Sequence, residues 1–439
     1  MKTRLISTVF VATLICAAGC SSGGSGGSFT PVGGCGADGQ KQFVFDVMND
    51  IYFWNTQIPV VDPAVFATPE ELLDAMLFKP IDRFSNIGSA QADLALFSAG
   101  EIVAFGFGST LLANDDLRLT QVFTGSSAEQ EGLQRNYRIL LIDGRTIADI
   151  VANEGISAAF GPRELGLQRT LRIEDLGGIQ SDVTLTKSLI TLDPVPVSTV
   201  FDVGGTPVGY LLFNIFVDPS IAALDAVFVN FRNQGVRNVI VDMRYNGGGL
   251  VAVAEYLGDL LGGLTAGAQV FSQTVHNANN AFRNTIATFA AQTNSITIDR
   301  IIFITTGSTA SASELVVNGL EPHIDVVLVG DTTFGKPVGQ YGFEFCSKIL
   351  WPISFQTLNV DGFGDFFSGL PVDCQAADDL DFVLGDPMEA SLAEALFYAG
   401  NSMCSPVPRT QRQRTADVRA LNRPEIQKAD HVGQITGIF

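Results

Sequence analysis

Between residues 191 and 400, short apolar runs alternate with helical segments, and this alternation constrains the fold more than any other feature of the chain. The runs VGYLLFNIF, RNVIVDM, RIIFITT and DVVLVGD are typical of buried strands, and SIAALDAVFVNFRNQG, LVAVAEYLGDLLGG and SELVVNGLE are typical of the helices between them. Buried strands separated by helices indicate a parallel sheet with right-handed crossovers. The sequence therefore predicts an α/β domain over 191–400, with functional groups in the loops after the strands.

The segments on either side of this domain have different patterns. Residues 36–99 carry apolar positions at helical spacing, as in KQFVFDVMNDIYFWN, and predict a small helical module whose aromatic residues form packing core. Residues 100–190 contain short β-branched runs separated by glycine, which predicts a small, mainly β domain. Residues 401–439 are polar with little periodicity and are expected to be a mobile tail.

The amino terminus has the pattern of an export signal. Residues 1–19 combine a basic start, a short apolar run and small residues at the end, and they are too short for a permanent membrane span. Cys20 and the SSGGSGGS that follows resemble a bacterial lipoprotein signal, with lipidation of the Cys20 thiol and a flexible tether over 20–35. Ser21 resembles sorting to an outer membrane, facing the periplasm, and simple secretion is the alternative.

Charge and cysteine content exclude some classes of partner. The chain has 26 basic and 46 acidic residues, a net charge of −20, which disfavours nucleic acid. Removal of the signal, which contains Cys16, leaves four cysteines besides the anchor, and in an oxidising compartment these predict two disulfides with three possible pairings. Cys346 with Cys374 is the preferred pair, because both flank one segment of one domain; Cys35 and Cys404 are the others. No zinc-binding spacing occurs, so no metal or cofactor is expected.

Three polar turns follow predicted strands, and they are expected to meet at one edge of the sheet. They are DMRYNGGG at 242–249, TTGSTASASE at 305–314 and GDTTFGKPVGQ at 330–340. The third turn is close to the phosphate-binding pattern G-x-x-x-x-G-K-[ST], but Pro337 occupies the position of the magnesium ligand, so nucleotide binding is disfavoured. The buried pair Asp242 and Arg244 is expected to shape the first turn rather than to react.

The second and third turns supply a candidate nucleophile and base. Ser311 or Ser313 lies at the start of a predicted helix, and a serine needs a base to become a nucleophile. The histidines at 276, 323 and 431 have no motif around them, which disfavours a serine–histidine enzyme. Lys336 has apolar neighbours that permit desolvation and a lowered pKa, and Gln340 lies on the same face and can orient its amine.

These motifs resemble the carboxyl-terminal processing, or tail-specific, serine peptidases of family S41, which use a serine–lysine pair. SASE matches the nucleophile segment, TFGK and a glutamine four residues later match the base segment, and VDMRYNGGG matches the glycine turn. The resemblance implies Ser311 as nucleophile, Lys336 as general base and Gln340 as orienting residue. It implies a parallel-sheet α/β domain with a crotonase- or ClpP-like core, and an oxyanion hole formed by the backbone N–H groups of Gly247, Gly248 and Ala312.

The resemblance extends to the domain before the sheet. GSSAEQEGLQRNYRILLIDGRTI resembles a PDZ core, and FGFGS resembles a PDZ carboxylate-binding loop, which implies peptide binding by the residues Phe105, Gly106, Phe107 and Gly108. DRFS at 82–85 resembles the segment that precedes PDZ in these enzymes. Departures from the pattern are Gly247 for proline, Tyr245 where glycine is common, Pro337 for glycine, and Asn136-Tyr137-Arg138 for Gly-Asp.

The expected function is therefore that of an exported, membrane-anchored serine endopeptidase that hydrolyses polypeptides near apolar carboxyl termini. The alternative is a catalytically inactive, anchored PDZ scaffold that binds such termini without cutting them. The chain's own apolar end, QITGIF, is a candidate for self-binding in the same groove, against the simpler interpretation of a frayed end.

Overall fold

A computed structural model describes residue 31 and residues 33–406 of the chain. The predicted signal segment, Cys20, most of the tether, and nearly all of the predicted tail with its QITGIF end lie outside the described residues. Within the described part, none of the helices combines the length and the apolar character needed to cross a bilayer.

The described helices and strands follow one another in three groups. The first comprises α1 Ala37–Ile51, α2 Pro69–Met76, β1 Asn86–Ser89 and α3 Ala90–Ala99. The second comprises β2 Glu101–Ala104, β3 Phe107–Leu112, β4 Asp116–Val122, α4 Ser127–Gln130, β5 Arg138–Ile142, β6 Arg145–Thr146, α5 Ile147–Asn153, α6 Ile156–Phe160, β7 Gln168–Glu174, β8 Gln180–Thr186 and β9 Ser188–Thr191. The third comprises β10 Val197–Val203, β11 Thr206–Leu212, α7 Ser220–Asn233, β12 Asn238–Asp242, α8 Val251–Gly262, β13 Val270–His276, β14 Thr285–Thr288, β15 Arg300–Thr305, α9 Ala312–Leu320, β16 Asp325–Gly330, β17 Val338–Gln340, β18 Phe343–Phe345, β19 Lys348–Trp351, β20 Ile353–Leu358, β21 Cys374–Gln375 and α10 Ala390–Asn401.

A six-stranded sheet in the order β10-β11-β12-β15-β16-β21 forms the centre of the third group. Within this sheet, neighbouring strands from β11 through β12, β15 and β16 to β21 pair in parallel. Strand β10 pairs antiparallel with β11 at one edge, so the sheet is mixed. Alternate residues of one strand face opposite layers: Val239 and Val241 pack in the cluster with α7, α8 and α9, whereas Ile240 packs in the cluster with α10. Burial on both faces explains the continuous apolar runs of the strands. The predicted α/β class is confirmed.

The second group forms a separate β domain. Its sheet has the order β3-β4-β5-β7-β8, with β6 paired to β5, and all of its pairs are antiparallel. The chain enters and leaves this domain through β2 and β9, which pair antiparallel with each other. Paired entry and exit strands make the domain a distinct unit of the fold, and its assignment as a PDZ domain stays a prediction.

The first group packs on the third rather than standing alone. Strand β1 pairs antiparallel with β19, and the apolar side chains of α1 and α2 share one cluster with Phe334, Val338 and Ile353. The stretch FVFDVMNDIYFW contributes Val44, Met48 and Tyr52 to this core, and Phe43 and Phe45 pack against it, so its interpretation as packing core is confirmed. Residues far apart in the chain therefore surround the lysine loop.

The cysteines of the described residues form two disulfides, Cys35–Cys346 and Cys374–Cys404, so the preferred pairing of Cys346 with Cys374 is wrong. Cys346 lies in the turn between β18 and β19, next to the start of α1, whereas Cys374 lies in β21 at the edge of the central sheet. Their proximity in sequence is misleading, because the chain between them crosses from the small hairpin to the main sheet.

Candidate active site

The three polar turns predicted to meet do meet, because they follow three neighbouring parallel strands. They extend from the carboxyl ends of β12, β15 and β16, which are adjacent in the central sheet. Backbone hydrogen bonds join them: Ala310 N–H donates to Asn246 O at 3.0 Å, and Phe334 N–H donates to Thr309 O at 2.9 Å. The sheet topology thus brings the glycine turn, the serine loop and the lysine loop together.

Ser311 and Ser313 differ in accessibility, which separates the two candidate nucleophiles. Ser313 is completely buried, and its hydroxyl donates to Asn246 O at 3.0 Å. Ser311 is partly exposed and immediately precedes α9, with a backbone φ of 57° that is uncommon outside glycine. A residue held in this region at a helix start presents its side chain from a fixed, strained turn. Ser311 is therefore the accessible hydroxyl.

Glu314, to which the sequence assigned no role, joins the serine loop to the lysine loop. One carboxylate oxygen accepts from Ser311 N–H at 2.9 Å and from Lys336 N–H at 2.8 Å. The two backbone nitrogens therefore lie within about 6 Å of each other, the sum of two ordinary hydrogen-bond lengths. The other oxygen accepts from Thr333 Oγ1 at 2.5 Å and Gly335 N–H at 2.7 Å.

Complete burial of Glu314 raises the pKa of its carboxyl group, while its hydrogen bonds from Thr333 and from three backbone amides act to lower it. A sequence signal for this residue exists: glutamate three residues after a serine at a helix start is the capping-box pattern, in which the carboxylate returns to the N-cap N–H. That pattern predicts the contact with Ser311. It does not predict that the same carboxylate also holds the lysine loop.

Lys336 and Gln340 make the contact that the sequence suggested. Lys336 Nζ donates to Gln340 Oε1 at 2.6 Å. The amide NH₂ of Gln340 donates to Phe84 O at 3.1 Å and to Trp351 O at 2.8 Å, which fixes the amide so that its oxygen faces the lysine. Burial lowers the pKa of Lys336 to about 8, against the opposing charges of Asp82 and Glu314. Lys336 thus donates to a neutral acceptor, the Gln340 amide oxygen, and the pKa of the lysine is lowered.

The segment at 82–85 supports the lysine loop from the helical module. The Arg83 guanidinium donates to the carbonyls of Phe334, Gly335 and Phe367 at 3.1, 3.3 and 3.4 Å. Phe84 receives the Gln340 amide on its carbonyl, and its ring centroid lies 5.6 Å from Lys336 Nζ. The desolvation of the lysine therefore depends on residues about 250 positions away in sequence.

The glycine turn touches the serine directly. Gly248 has a φ of 106°, and a Cβ at this position would lie 2.9 Å from Ser311 Cβ and from Ala312 N, so only glycine fits. Its N–H, however, donates to Asn246 Oδ1 at 2.9 Å. In this structure the Gly248 N–H is therefore already engaged by a side chain, and its role as an oxyanion donor stays a prediction. Among the described hydrogen bonds, none uses the N–H of Gly247 or Ala312.

Asp242 and Arg244 form the buried pair that the sequence predicted. Both side chains are completely buried, and Arg244 Nη2 donates to Asp242 at 2.8 Å and to Glu389 at 2.8 Å. Arg244 Nη1 donates to Asp378 at 3.0 Å. Three carboxylates around one guanidinium hold the base of the glycine turn, which is a structural role.

The histidines within the described residues lie in other contacts. His276 Nε2 lies 3.0 Å from Tyr341 Oη, and His323 Nε2 lies 2.9 Å from Val270 O, whereas His431 falls outside the described residues. One cluster in the described part of the chain has metal-ligand composition, namely Cys374, Glu394 and Cys404, but its two thiols are joined in a disulfide.

The predicted carboxylate-binding loop lies in the β domain, apart from the serine and lysine. Its four residues, Phe105, Gly106, Phe107 and Gly108, are all buried. The carbonyls of Phe105 and Gly106 accept from Ala128 N–H at 3.1 Å and Phe123 N–H at 2.9 Å. Peptide binding by this loop stays a prediction.

Comparison with known proteins shows which family this fold and site resemble. The model of the peptidase S41 N-terminal domain matches residues 39–86, and the model of peptidase family S41 matches residues 207–356. The second match contains the glycine turn, Ser311, Lys336 and Gln340. Both matching models are those of peptidase family S41, one over part of the helical module and the other over the part of the α/β domain that carries the candidate site.

Individual relatives agree with these matches. A carboxyl-terminal-processing protease of Synechocystis sp. is 28% identical over 283 residues, 63% of this chain and 62% of that protein. The carboxy-terminal processing protease CtpA of Bacillus subtilis is 23% identical over 242 residues, 55% of this chain and 49% of that protein. The chain thus spans about half to three-fifths of the length of these relatives. The crystal structure of a Bacteroides fragilis protein assigned to the S41 proteases is 25% identical, with a TM-score of 0.66, and the match covers 82% of this chain and 97% of that one.

Proposed function

We propose that the protein is a serine endopeptidase in which Ser311 is the nucleophile, Lys336 the general base and Gln340 the residue that orients the lysine. The observation that carries this proposal is the arrangement around Glu314 and Gln340. One carboxylate holds the Ser311 and Lys336 amides together, and one amide oxygen receives a lysine amine whose pKa is lowered to about 8. A lysine that is partly neutral near pH 8 can accept a proton from a serine hydroxyl.

The reaction follows from these positions. Neutral Lys336 Nζ takes the proton of Ser311 Oγ while Oγ bonds to the scissile carbonyl carbon, and the carbonyl oxygen becomes an oxyanion. The N–H groups of Gly247 and Ala312 are the donors for this oxyanion. The lysine then gives its proton to the leaving amine as the C–N bond breaks. A water then gives a proton to the same lysine as its oxygen bonds to the acyl carbon. The bond from that carbon to Ser311 Oγ breaks, and Lys336 returns the proton to Oγ, which restores both groups.

Desolvation of the lysine distinguishes this proposal from an inactive scaffold. Lowering the pKa of a lysine from 10.5 to about 8 costs about 3 kcal/mol of folding free energy at neutral pH. A protein that only bound peptides would have no use for a desolvated lysine. The site is therefore better explained by a peptidase than by an inactive scaffold.

We further propose that the substrates are polypeptides with apolar carboxyl termini, recognised by the β domain acting as a PDZ domain. The names of the relatives as carboxyl-terminal processing proteases support this substrate class. Strand β3, which begins within the FGFGS stretch, lies at the edge of its sheet, the position from which PDZ domains add a peptide strand. We also propose a lipid anchor on Cys20 in a bacterial envelope, from the sequence of the first 35 residues alone.

The test is mass spectrometry of the products from a mixture of unfolded polypeptides. Wild type should release carboxyl-terminal fragments, and Ser311→Ala and Lys336→Ala should release none. Ser308→Ala, in the same loop, and Lys348→Ala, which removes a surface lysine paired with Glu70, serve as matched controls and should keep wild-type activity. Equal product yields from Ser311→Ala and wild type would exclude the proposed nucleophile.

A further inference from the structure

Two departures from the family sequence pattern, Tyr245 and Asn136, both lie where the β domain meets the α/β domain. Tyr245 stands in the glycine turn of the α/β domain, and Arg135 and Asn136 stand in the loop before β5 of the β domain. Arg135 Nη1 donates to Tyr245 Oη at 2.7 Å, and Arg135 Nη2 donates to Asp378 at 2.7 Å. Asn136 donates to Asp381 at 2.7 Å. Tyr245 and Asn136 therefore lie, with Arg135, in an interface between the β domain and the α/β domain.

Arg135 uses its guanidinium fully in this interface. Besides Tyr245 and Asp378, it donates to the carbonyl of Thr120 in its own domain at 2.6 Å, and across the boundary to the carbonyls of Phe382 and Asp379 at 2.9 and 3.2 Å. Its side chain is 8% exposed and that of Asp378 is 10% exposed. Water and salt therefore screen this pair much less than they screen a surface ion pair.

The electrostatics of Asp378 support the contact between Arg135 and the glycine turn. Burial alone would raise the pKa of the Asp378 carboxyl group, but the guanidinium groups of Arg135 and Arg244 outweigh burial and lower this pKa to about 2. Asp378 accepts from Arg135, from Arg244 and from the hydroxyl of Tyr245. One carboxylate thus connects the β domain to the fully buried arginine at the base of the glycine turn.

The glycine turn is in turn bonded to the serine loop. Tyr245 lies two residues before Gly247, and the Arg244 carbonyl accepts from the Thr306 hydroxyl. The Asn246 carbonyl accepts from both Ala310 N–H and the Ser313 hydroxyl. A shift of Tyr245 would therefore move the backbone that carries the proposed oxyanion donor.

We propose that Arg135 is a positioning residue, through which the placement of the β domain fixes the glycine turn in its catalytic geometry. Its effect on the reaction rests on the peptidase function proposed above, whereas its effect on the turn does not. Arginine is suited to this role, because its planar fork reaches a phenol, a carboxylate and three carbonyls at once, which a lysine point charge cannot do. Misplacement of a reacting group by about 1 Å can cost about a hundredfold in rate.

The experiment compares wild type with Arg135→Gln, using Arg172→Gln as a matched control. Arg172 makes a two-pronged pair with Asp182 in the same β domain, at 2.7 Å for each contact, but in solvent. Two quantities are measured: hydrogen exchange of the amides at 243–250, and kcat and KM for a short unstructured peptide. Arg135→Gln should speed exchange at 243–250 and lower kcat about tenfold or more with KM within about twofold. Arg172→Gln should change neither.

The outcomes separate positioning from simple loss of stability. A general loss of stability would speed exchange in helices α7 and α8 as well, whereas loss of positioning affects the turn alone. If Arg135→Gln fails to fold, Tyr245→Phe removes only the hydroxyl and should lower kcat severalfold, and Arg135→Lys should lie between wild type and Arg135→Gln. Wild-type exchange at 243–250 in Arg135→Gln or Tyr245→Phe would overturn the proposal. If wild type cleaves no peptide, the proposed function fails, and the exchange measurement still decides this inference.

Discussion

The protonation of Lys336 controls the proposed reaction, and a change of pH is the mildest way to perturb it. Burial lowers the pKa of Lys336 from 10.5 to about 8, although Asp82 and Glu314 act to raise it. Only the neutral amine accepts the Ser311 proton, so about a tenth of the enzyme is competent at pH 7 and about nine-tenths at pH 9. Activity should therefore rise about tenfold per unit below pH 8 and level off above about pH 9.

The assay is kcat/KM for a peptide substrate between pH 6 and 10 at constant ionic strength, with Ser311→Ala as the blank. Single-turnover measurements establish that chemistry limits the rate. Gln340→Glu puts a carboxylate where the amide oxygen lies 2.6 Å from Nζ, and a charge at that distance should raise the midpoint by about one unit or more. A profile that is flat from pH 6 to 9, or a wild-type midpoint near the ordinary lysine value of 10.5, would refute the reasoning.

The same pKa has a consequence for stability. Because the folded pKa of Lys336 is below the unfolded value, the unfolded chain binds more protons between pH 8 and 10.5, and the penalty shrinks as pH rises through this window. The penalty is about 3 kcal/mol at pH 7 and about 1 kcal/mol at pH 10. Lys336→Met removes this penalty, so the difference in unfolding free energy between variant and wild type should change by about 2 kcal/mol from pH 7 to 10. Denaturant titrations at both pH values check this, and a constant difference would mean that the folded lysine is not desolvated.

Three further predictions concern single contacts. Gly248→Ala should destabilise the protein by about 2–3 kcal/mol and abolish most activity, because the new Cβ would lie 2.9 Å from Ala312 N. Gly178→Ala is the control: Gly178 has a φ of 79° but open space around it, so the change should cost about 1–2 kcal/mol and leave activity intact. Gln340→Ala should lower kcat about tenfold to a hundredfold at pH 8 with little change in KM, since the lysine loses its orienting acceptor. Cys404→Ser opens a cross-link over 30 residues and should lower the unfolding free energy by about 3–4 kcal/mol in denaturant titrations; an unchanged midpoint would mean that the disulfide does not form.

The local parts of the site were predictable because they depend on short-range patterns. Buried strands appear as continuous apolar runs, and parallel strands place the following loops at one edge, so the meeting of the glycine turn with the serine and lysine loops follows from sequence. Lys336 and Gln340 lie four residues apart, and their contact needs only that local geometry. The departures from the family pattern at Tyr245 and Asn136 were also visible in the sequence, but nothing in the sequence indicated that the two positions lie in the same interface.

The tertiary structure decided how the distant segments meet. The pairing of Cys35 with Cys346, the packing of Phe84 on Lys336, and the contact of Arg135 with Tyr245 join residues more than 100 positions apart. Helical and strand periodicities report only which face of one element is buried, not which other element covers that face. The sequence by itself thus determined the α/β class and the candidate reactive groups. Only the folded chain determined what surrounds the lysine and lowers its pKa, because desolvation depends on every group packed around the amine.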